Sequence, residues 1–244
     1  MTGEHYSYRH YASQEVAEGF DALRFGGPIG RYLADVQAAV LREALEPLAG
    51  RTVLDVGTGT GRAAVELAAA GAAVIGLDAS VEMLRVAAVR SAEAGVHLRL
   101  GRADAHALPL ADRSVDAAVS LRVLMHALDW RQCVSELCRV ARVRVVVDFP
   151  SSRSFARIES VGRRVARRFG RSVEDYRVIS EADVSEAFAR SGYRVAFVRR
   201  QFVLPIALHK KVSSLAATRG VEHALAAIGL LRLCGSPVTL VAER

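Results

Sequence analysis

Apolar and polar positions alternate along the middle of this chain in two rhythms. Short apolar runs at 52–56, 72–77, 96–100, 115–121 and 143–149 have the length and β-branched content of buried strands. Between them, 62–70, 81–94 and 130–141 read as helices; the first contains no Gly or Pro and consists mostly of strong helix formers. Strand and helix in steady alternation predict an α/β domain, with a parallel sheet covered by helices on both faces. A later helix is expected at 181–191 with Ser180 as its N-cap, then strand-like runs at 193–204 and 237–242.

Three segments stand outside the alternation. Residues 1–50 carry Tyr6, Tyr8, Tyr11 and Phe20 and then an amphipathic helix over 32–46, and are expected to form an N-terminal helical lid. Residues 51–244 would form the main domain, with cap insertions at 151–178 and 206–233. In the first insertion Phe155, Ile158, Val161, Val165 and Phe169 recur at helical spacing among arginines between 153 and 171. Three readings stay open for that basic helix: a solvated face, a cap over substrate, or a peripheral rest on an anionic membrane. Residues 206–233 look helical and apolar, serving an acceptor that is lipid-like, extra core, or a dimer contact. In open α/β sheets ligands bind beyond the carboxyl ends of the strands, so the insertion after Phe149 leaves from the binding edge.

Composition narrows the class. With 244 residues, 51% hydrophobic and 24% charged, the chain is large enough for a well-buried core. The most apolar stretch, 221–242, is broken by Glu222, His223, Arg232, Gly235 and Pro237, which argues against a membrane span. Residues 1–11 are polar and aromatic, so no signal peptide is expected. The net charge of +7 invites a nucleic-acid reading, but of 33 basic residues only Lys210 and Lys211 are lysines. That choice fits codon bias better than selection for phosphate contacts, and no nucleic-acid partner is expected. Cys133, Cys138 and Cys234 show neither metal-ligand spacing nor an even framework, giving a reduced, cytoplasmic setting and no metal as the expectation.

The chemistry concentrates at Val53-Leu-Asp-Val-Gly-Thr-Gly-Thr-Gly61, an apolar strand running into three alternating glycines and then a helix. Such a loop lets backbone come close to a ligand. A dinucleotide fingerprint would require glycine at position 62, where this chain has Arg62, so a nucleoside without pyrophosphate fits better. Three acids recur at equivalent places: Asp55 in the first strand, Asp78 ending the second, Asp104 following the third. A carboxylate after the second strand can accept from both ribose hydroxyls, and one after the third from an adenine amine. Asp55 is placed to face a cationic amine or to brace the loop.

These stretches, with Gly76-Leu-Asp-Ala-Ser80, the run from Ala103 to Asp116, and Glu136-Leu-Cys-Arg-Val140, resemble the successive motifs of class I S-adenosylmethionine (SAM)-dependent methyltransferases. The likeness is to the small-molecule branch that includes quinone and menaquinone methyltransferases, and covers about residues 50–150 specifically. It implies a Rossmann-like, doubly wound, mostly parallel sheet of seven strands with the last strand antiparallel. It implies that Gly57, Thr58, Gly59 and Gly61 approach the methionine part of SAM and that Asp78 binds the ribose. Ala79 and Met83 would pack near adenine, Asp104 and Ala105 would read its amine, and Leu121 and Arg122 would border the sulfonium. His126 is the candidate general base, with packing beside the cofactor as its other reading. Asp116 matches a structural position. Tyr11, Arg24 and Asp148 are the substrate-side candidates, Arg24 being placed to reach the cofactor carboxylate as well. The expected activity is methyl transfer to an O, N or C atom of a small, apolar or aromatic metabolite, by a monomer or homodimer. A nicotinamide-dependent oxidoreductase on a related fold and a non-catalytic SAM binder are the alternatives. The absence of an Asn/Asp-Pro-Pro-aromatic tetrad after the fourth strand, where Ser120-Leu-Arg-Val stands, argues against base methylation.

Overall fold

The computed structural model describes residues 13–154 and 177–244. Seven strands form one sheet: β1 Thr52–Val56, β2 Ala73–Asp78, β3 Leu98–Arg102, β4 Val115–Ser120, β5 Ala141–Phe149, β6 Arg194–Phe202 and β7 Ser236–Glu243. Their spatial order is β3-β2-β1-β4-β5-β7-β6, with β1 to β5 parallel and β7 antiparallel to both neighbours. The sheet is thus the mostly parallel one expected, with its last strand reversed.

Nine helices are described: α1 Gln14–Phe25, α2 Gly27–Leu45, α3 Arg62–Ala69, α4 Val81–Glu93, α5 Trp130–Val140, α6 Glu181–Arg190, α7 Ile206–Val212, α8 Leu215–Ala227 and α9 Leu230–Cys234. They bury both faces of the sheet. On one face Leu54, Val147 and Phe149 pack with Trp130, Leu137 and Phe188; on the other Val53 and Val146 pack with Leu41, Leu45 and Leu67. Successive residues of β1 therefore enter opposite cores, and the strand reads as continuously apolar rather than alternating. Each fully buried Leu or Phe contributes roughly 1.5–3 kcal/mol.

β2 and β4 flank β1, so the chain leaves β1 toward one side and later returns on the other. This reversal opens a crevice at the carboxyl ends of β1 and β4, the place where open α/β sheets bind ligands.

Two expectations change. The N-terminal segment holds two helices, not one beginning at residue 32. Gly26 is where α1 ends, a Cβ there lying 2.2 Å from the Ala22 carbonyl oxygen, and α2 starts at once with Pro28 in its first turn. Proline's fixed φ and missing N–H suit that position, so the Gly-Gly-Pro run is a helix start. Ser180 does occupy the N-cap position of α6, but its side chain makes no capping bond. Capping hydroxyl and carboxylate are found instead at Ser80, accepting from the Met83 N–H at 3.2 Å, and at Asp129, accepting from Arg131 and Gln132.

The segment 206–233 is helical as expected. Glu222 is its polar anchor, accepting from the Val203 and Leu204 N–H groups at 2.8 and 3.0 Å and bonding His209 Nε2 at 2.8 Å. Ile228 and Leu233 of this segment are exposed. Among the described residues no helix is long and apolar enough to cross a membrane, and no cluster of His, Cys, Asp and Glu is arranged to hold a metal. Tyr6, Tyr8, Tyr11 and the arginine-rich stretch beyond Ser154, expected as a helix, lie outside the described residues.

Candidate active site

The loop after β1 is shaped by left-handed backbone at Gly57, Gly59 and Gly61, with φ of 72°, 55° and 76°. The three glycines are needed for different reasons. A Cβ on Gly57 would lie 2.1 Å from Val123 Cγ2, and one on Gly61 2.8 Å from Ala87 Cβ. Gly61 therefore lets α3 pack on α4. Above Gly59 there is open space, so a ligand can approach its backbone.

The loop is braced by both acids. Asp78 accepts from the Gly59 N–H and from the Ser80 N–H, each at 2.8 Å. Each carboxylate oxygen keeps a second lone pair for a ligand hydroxyl. Burial raises the Asp78 pKa despite those N–H bonds. Asp55 accepts from the Thr58 hydroxyl at 2.8 Å and is fully buried. Burial, assisted by the negative charge of Asp78, pushes its carboxyl up to about 6, against the opposing pull of the Thr58 bond and Arg62.

Around these residues lies a cavity of about 200 Å³ at the carboxyl edge of the sheet. Asp55, Gly57, Thr58, Gly59, Asp78, Ala79, Met83 and Ala105 reach it from the loops after β1, β2 and β3. Leu121, Arg122, Val123 and His126 come from the loop after β4, and Phe20, Arg24 and Phe25 from α1. The described structure thus brings most of the expected site residues to one cavity. A three-way bond holds α1 there: Asp21 pairs with Arg90, accepts from the Thr60 hydroxyl at 3.1 Å, and Arg90 donates to the Thr60 carbonyl at 3.0 Å.

Three candidates sit elsewhere. Gly61 packs helices rather than lining the cavity. Asp104 is outside the lining too; its Oδ1 accepts from the His106 N–H at 2.9 Å and meets His106 Nδ1 at 2.7 Å. This short-range turn engages one carboxylate oxygen, and the lining there is Ala103, Ala105 and His106. Asp148 is a buried brace, not a site-edge acid. It accepts from the Arg122 N–H and from Gln37 Nε2 at 3.3 Å, because α2 and β7 cover the end of β5. Its pKa is raised by burial. Through that bond it fixes Arg122 in left-handed backbone, φ 61°.

Other residues became visible only in three dimensions. Arg62 lies with its guanidinium 3.9 Å from the centre of the Phe25 ring and donates to Gln37 Oε1, filling the space that a dinucleotide-binding glycine would leave. Its pKa is lowered by burial. The stretch Glu136–Val140 is a clamp: Glu136 accepts from the Leu108 N–H at 2.7 Å, and Arg139 donates to the carbonyls of Leu108 and Leu110 at 2.9 and 2.7 Å. Asp116 is structural, accepting from the Thr52 N–H at 2.8 Å.

Residues 54–146 match the family described as methyltransferase domain. That segment is similar to methyltransferase domains. The matched segment contains the loops after β1 to β4 but not α1, whose Phe20, Arg24 and Phe25 complete the cavity. An uncharacterized 37.1 kDa protein of transposon TN4556 from Streptomyces fradiae is 34% identical over 165 residues, 65% of this chain and 47% of that protein. An uncharacterized methyltransferase of Mycobacterium ulcerans is 38% identical over 123 residues, 50% of this chain and 48% of its own. The curated relatives that the chain matches are longer; between 34% and 48% of their length is covered. In fold, the chain resembles magnesium protoporphyrin IX methyltransferase of Synechocystis PCC 6803 with bound SAH. The TM-score is 0.68 at 18% identity, over 98% of this chain and 97% of that one.

Proposed function

We propose that this chain binds SAM in the glycine-loop cavity and transfers its methyl group to an O, N or C atom of a small acceptor. The observation that carries the reading is the Asp78 carboxylate, held between the Gly59 and Ser80 N–H groups on the cavity wall beside open space. A ribose whose two hydroxyls face Asp78 has its base against Ala79, Met83 and Leu108, an apolar wall suited to adenine. The cofactor's cationic ammonium and sulfonium favour the end of β1, where Asp55 is buried.

Held by Asp78, the Gly59 backbone and Asp55, SAM would supply an activated methyl group together with its leaving group. The residues of this chain contribute alignment and exclusion of water, which dominate such a transfer. Phe20, Phe25, Leu121 and Val123 give the acceptor an apolar surround, consistent with an apolar or aromatic metabolite. His126 lines the same cavity, and we assign it the proton released when the acceptor is a hydroxyl or an amine. His126→Asn is then expected to lower kcat by about 10²–10⁴-fold with little change in KM. An unchanged kcat would remove the base role.

Incubation with methyl-labelled SAM and a metabolite extract should yield a labelled product heavier by one methylene. Binding without any product would favour a non-catalytic binder. Tight NADH binding with no SAM binding would favour the oxidoreductase, against which Arg62 stands in place of the third glycine.

A further inference from the structure

The glycine loop has an ionisable group at each end. Asp55 is buried in β1 just before the loop, and Arg62 follows Gly61 as the first residue of α3; both line the cavity. They are held in different ways. Asp55 is fixed from within the loop by the Thr58 hydroxyl. Arg62 is fixed from other elements: its guanidinium lies on the Phe25 ring of α1, 3.9 Å from the centre, and donates to Gln37 Oε1 of α2. Gln37 can turn only that oxygen toward it, because the Gln37 amide nitrogen donates to Asp148 at 3.3 Å.

Arg62 has no anion beside it among the described residues. A guanidinium carries five N–H donors in one plane, and the neutral Gln37 oxygen is the one hydrogen-bond acceptor that the described residues give this one. No described carboxylate lies within ion-pair distance of it. The acids whose charges reach Arg62 are engaged elsewhere, Asp21 by Arg90 and Glu66 by Arg42 at 3.9 Å. The other lining arginines are placed differently. Arg24 lies on α1 with its guanidinium 5.2 Å from the Phe20 ring, where Lys210 holds the helix end by donating to the Leu23 and Arg24 carbonyls at 2.7 and 2.9 Å. Arg122 leaves β4 with its N–H on Asp148. A ligand that covers Arg62 takes water from its remaining N–H groups, which costs affinity unless the ligand brings an anion.

We propose that Arg62 binds the α-carboxylate of the cofactor's methionine while Asp55 faces the neighbouring ammonium, so that the two ends of the loop receive the two halves of a zwitterion. With its plane held by Phe25 and Gln37, the guanidinium can offer a carboxylate two parallel N–H bonds. The inference rests on the reading of the cavity as a SAM site. It makes the amino-acid carboxylate, as well as the nucleoside, a condition of tight binding.

Calorimetry on the full chain tests it with SAH and with decarboxylated SAH, which keeps the nucleoside, the sulfur and the ammonium and lacks the carboxylate. The unaltered protein should bind SAH at least about tenfold tighter than the decarboxylated ligand. Arg62→Met should bring the two within about threefold of each other by weakening SAH alone. Arg62→Gln, which keeps an N–H donor for Gln37, carries the same expectation and supplies the result if the Met variant does not fold. Arg62→Lys, which keeps the charge and loses the fork, should fall between. Equal affinities in the unaltered protein would overturn the inference, as would an SAH preference that survives both neutral variants. So would a loss of both ligands by the same factor, since that makes Arg62 a packing residue of the lid. A preference lost in Arg24→Met and kept in Arg62→Met places the carboxylate on α1 and overturns it as well. Failure of the unaltered protein to bind either ligand overturns the cofactor reading itself, a result distinct from all of these.

Discussion

At the scale of single residues, the loop glycines separate shape from ligand approach. Gly57→Ala places a methyl against Val123 in left-handed backbone, and a loss of about 2–4 kcal/mol in denaturant unfolding is expected. Gly59→Ala meets no side chain, so about 1–2 kcal/mol is expected there, while its methyl enters the open space and SAM affinity falls at least about tenfold. Equal stability losses in the two variants would contradict this division. Asp55 makes a pH prediction. Its folded pKa of about 6 lies above its ordinary value of about 4, so between those values the folded chain holds a proton that the unfolded chain has released. Stability therefore falls as pH rises through that window, by on the order of 2–3 kcal/mol, and the penalty stays in place above it. Asp55→Asn keeps an acceptor for Thr58 and loses the charge. Relative to the unaltered protein it should become progressively more stable from pH 4 to 7 while binding SAM more weakly. A stability difference independent of pH would contradict the buried-carboxylate account. The placement of the glycines, Asp55 and Asp78 was legible because they sit at or just after strand ends that the apolar runs mark. The bond of Asp104 to His106, two residues on, was not legible, because spacing does not reveal which neighbour engages a carboxylate.

At the scale of elements, the inner strands β1, β4 and β5 were legible because both of their faces are largely buried, which writes them as apolar runs, whereas the edge strand β3 buries only Leu98 and lies at 98–102 rather than 96–100. α1 was not, since the Phe25-Gly-Gly-Pro28 stretch reads as a break when it is the junction of two helices. The burial of Asp148 was not legible for an element-scale reason: the cover provided by α2 and β7 turns the end of β5 into interior. α1 owes its place over the cavity to Arg90, which links Asp21 to the glycine loop. Arg90→Met should accelerate amide hydrogen exchange across 14–25 while β1 and β2 keep their protection. Unchanged exchange in α1 would show that Lys210 and the apolar contacts hold it without this link. Arg139→Met, releasing the carbonyls of Leu108 and Leu110, should cost about 1–2 kcal/mol in unfolding experiments.

At the scale of the whole molecule, the order β3-β2-β1-β4-β5-β7-β6 gathers loops from distant parts of the chain at one edge, and the cavity there joins acids on the β1–β2 side to arginines from α1 and β4. The glycine-loop wall of the cavity follows from motifs that a sequence displays; Phe20, Arg24 and Phe25 of α1 complete the lining from outside the matched segment. The central claim is that this cavity is a SAM site with Asp78 as its ribose partner. Calorimetric titration with SAH tests it most directly: a micromolar Kd is expected, weakened at least about tenfold in Asp78→Ala. No heat of binding at millimolar SAH, or an affinity indifferent to Asp78, would contradict it.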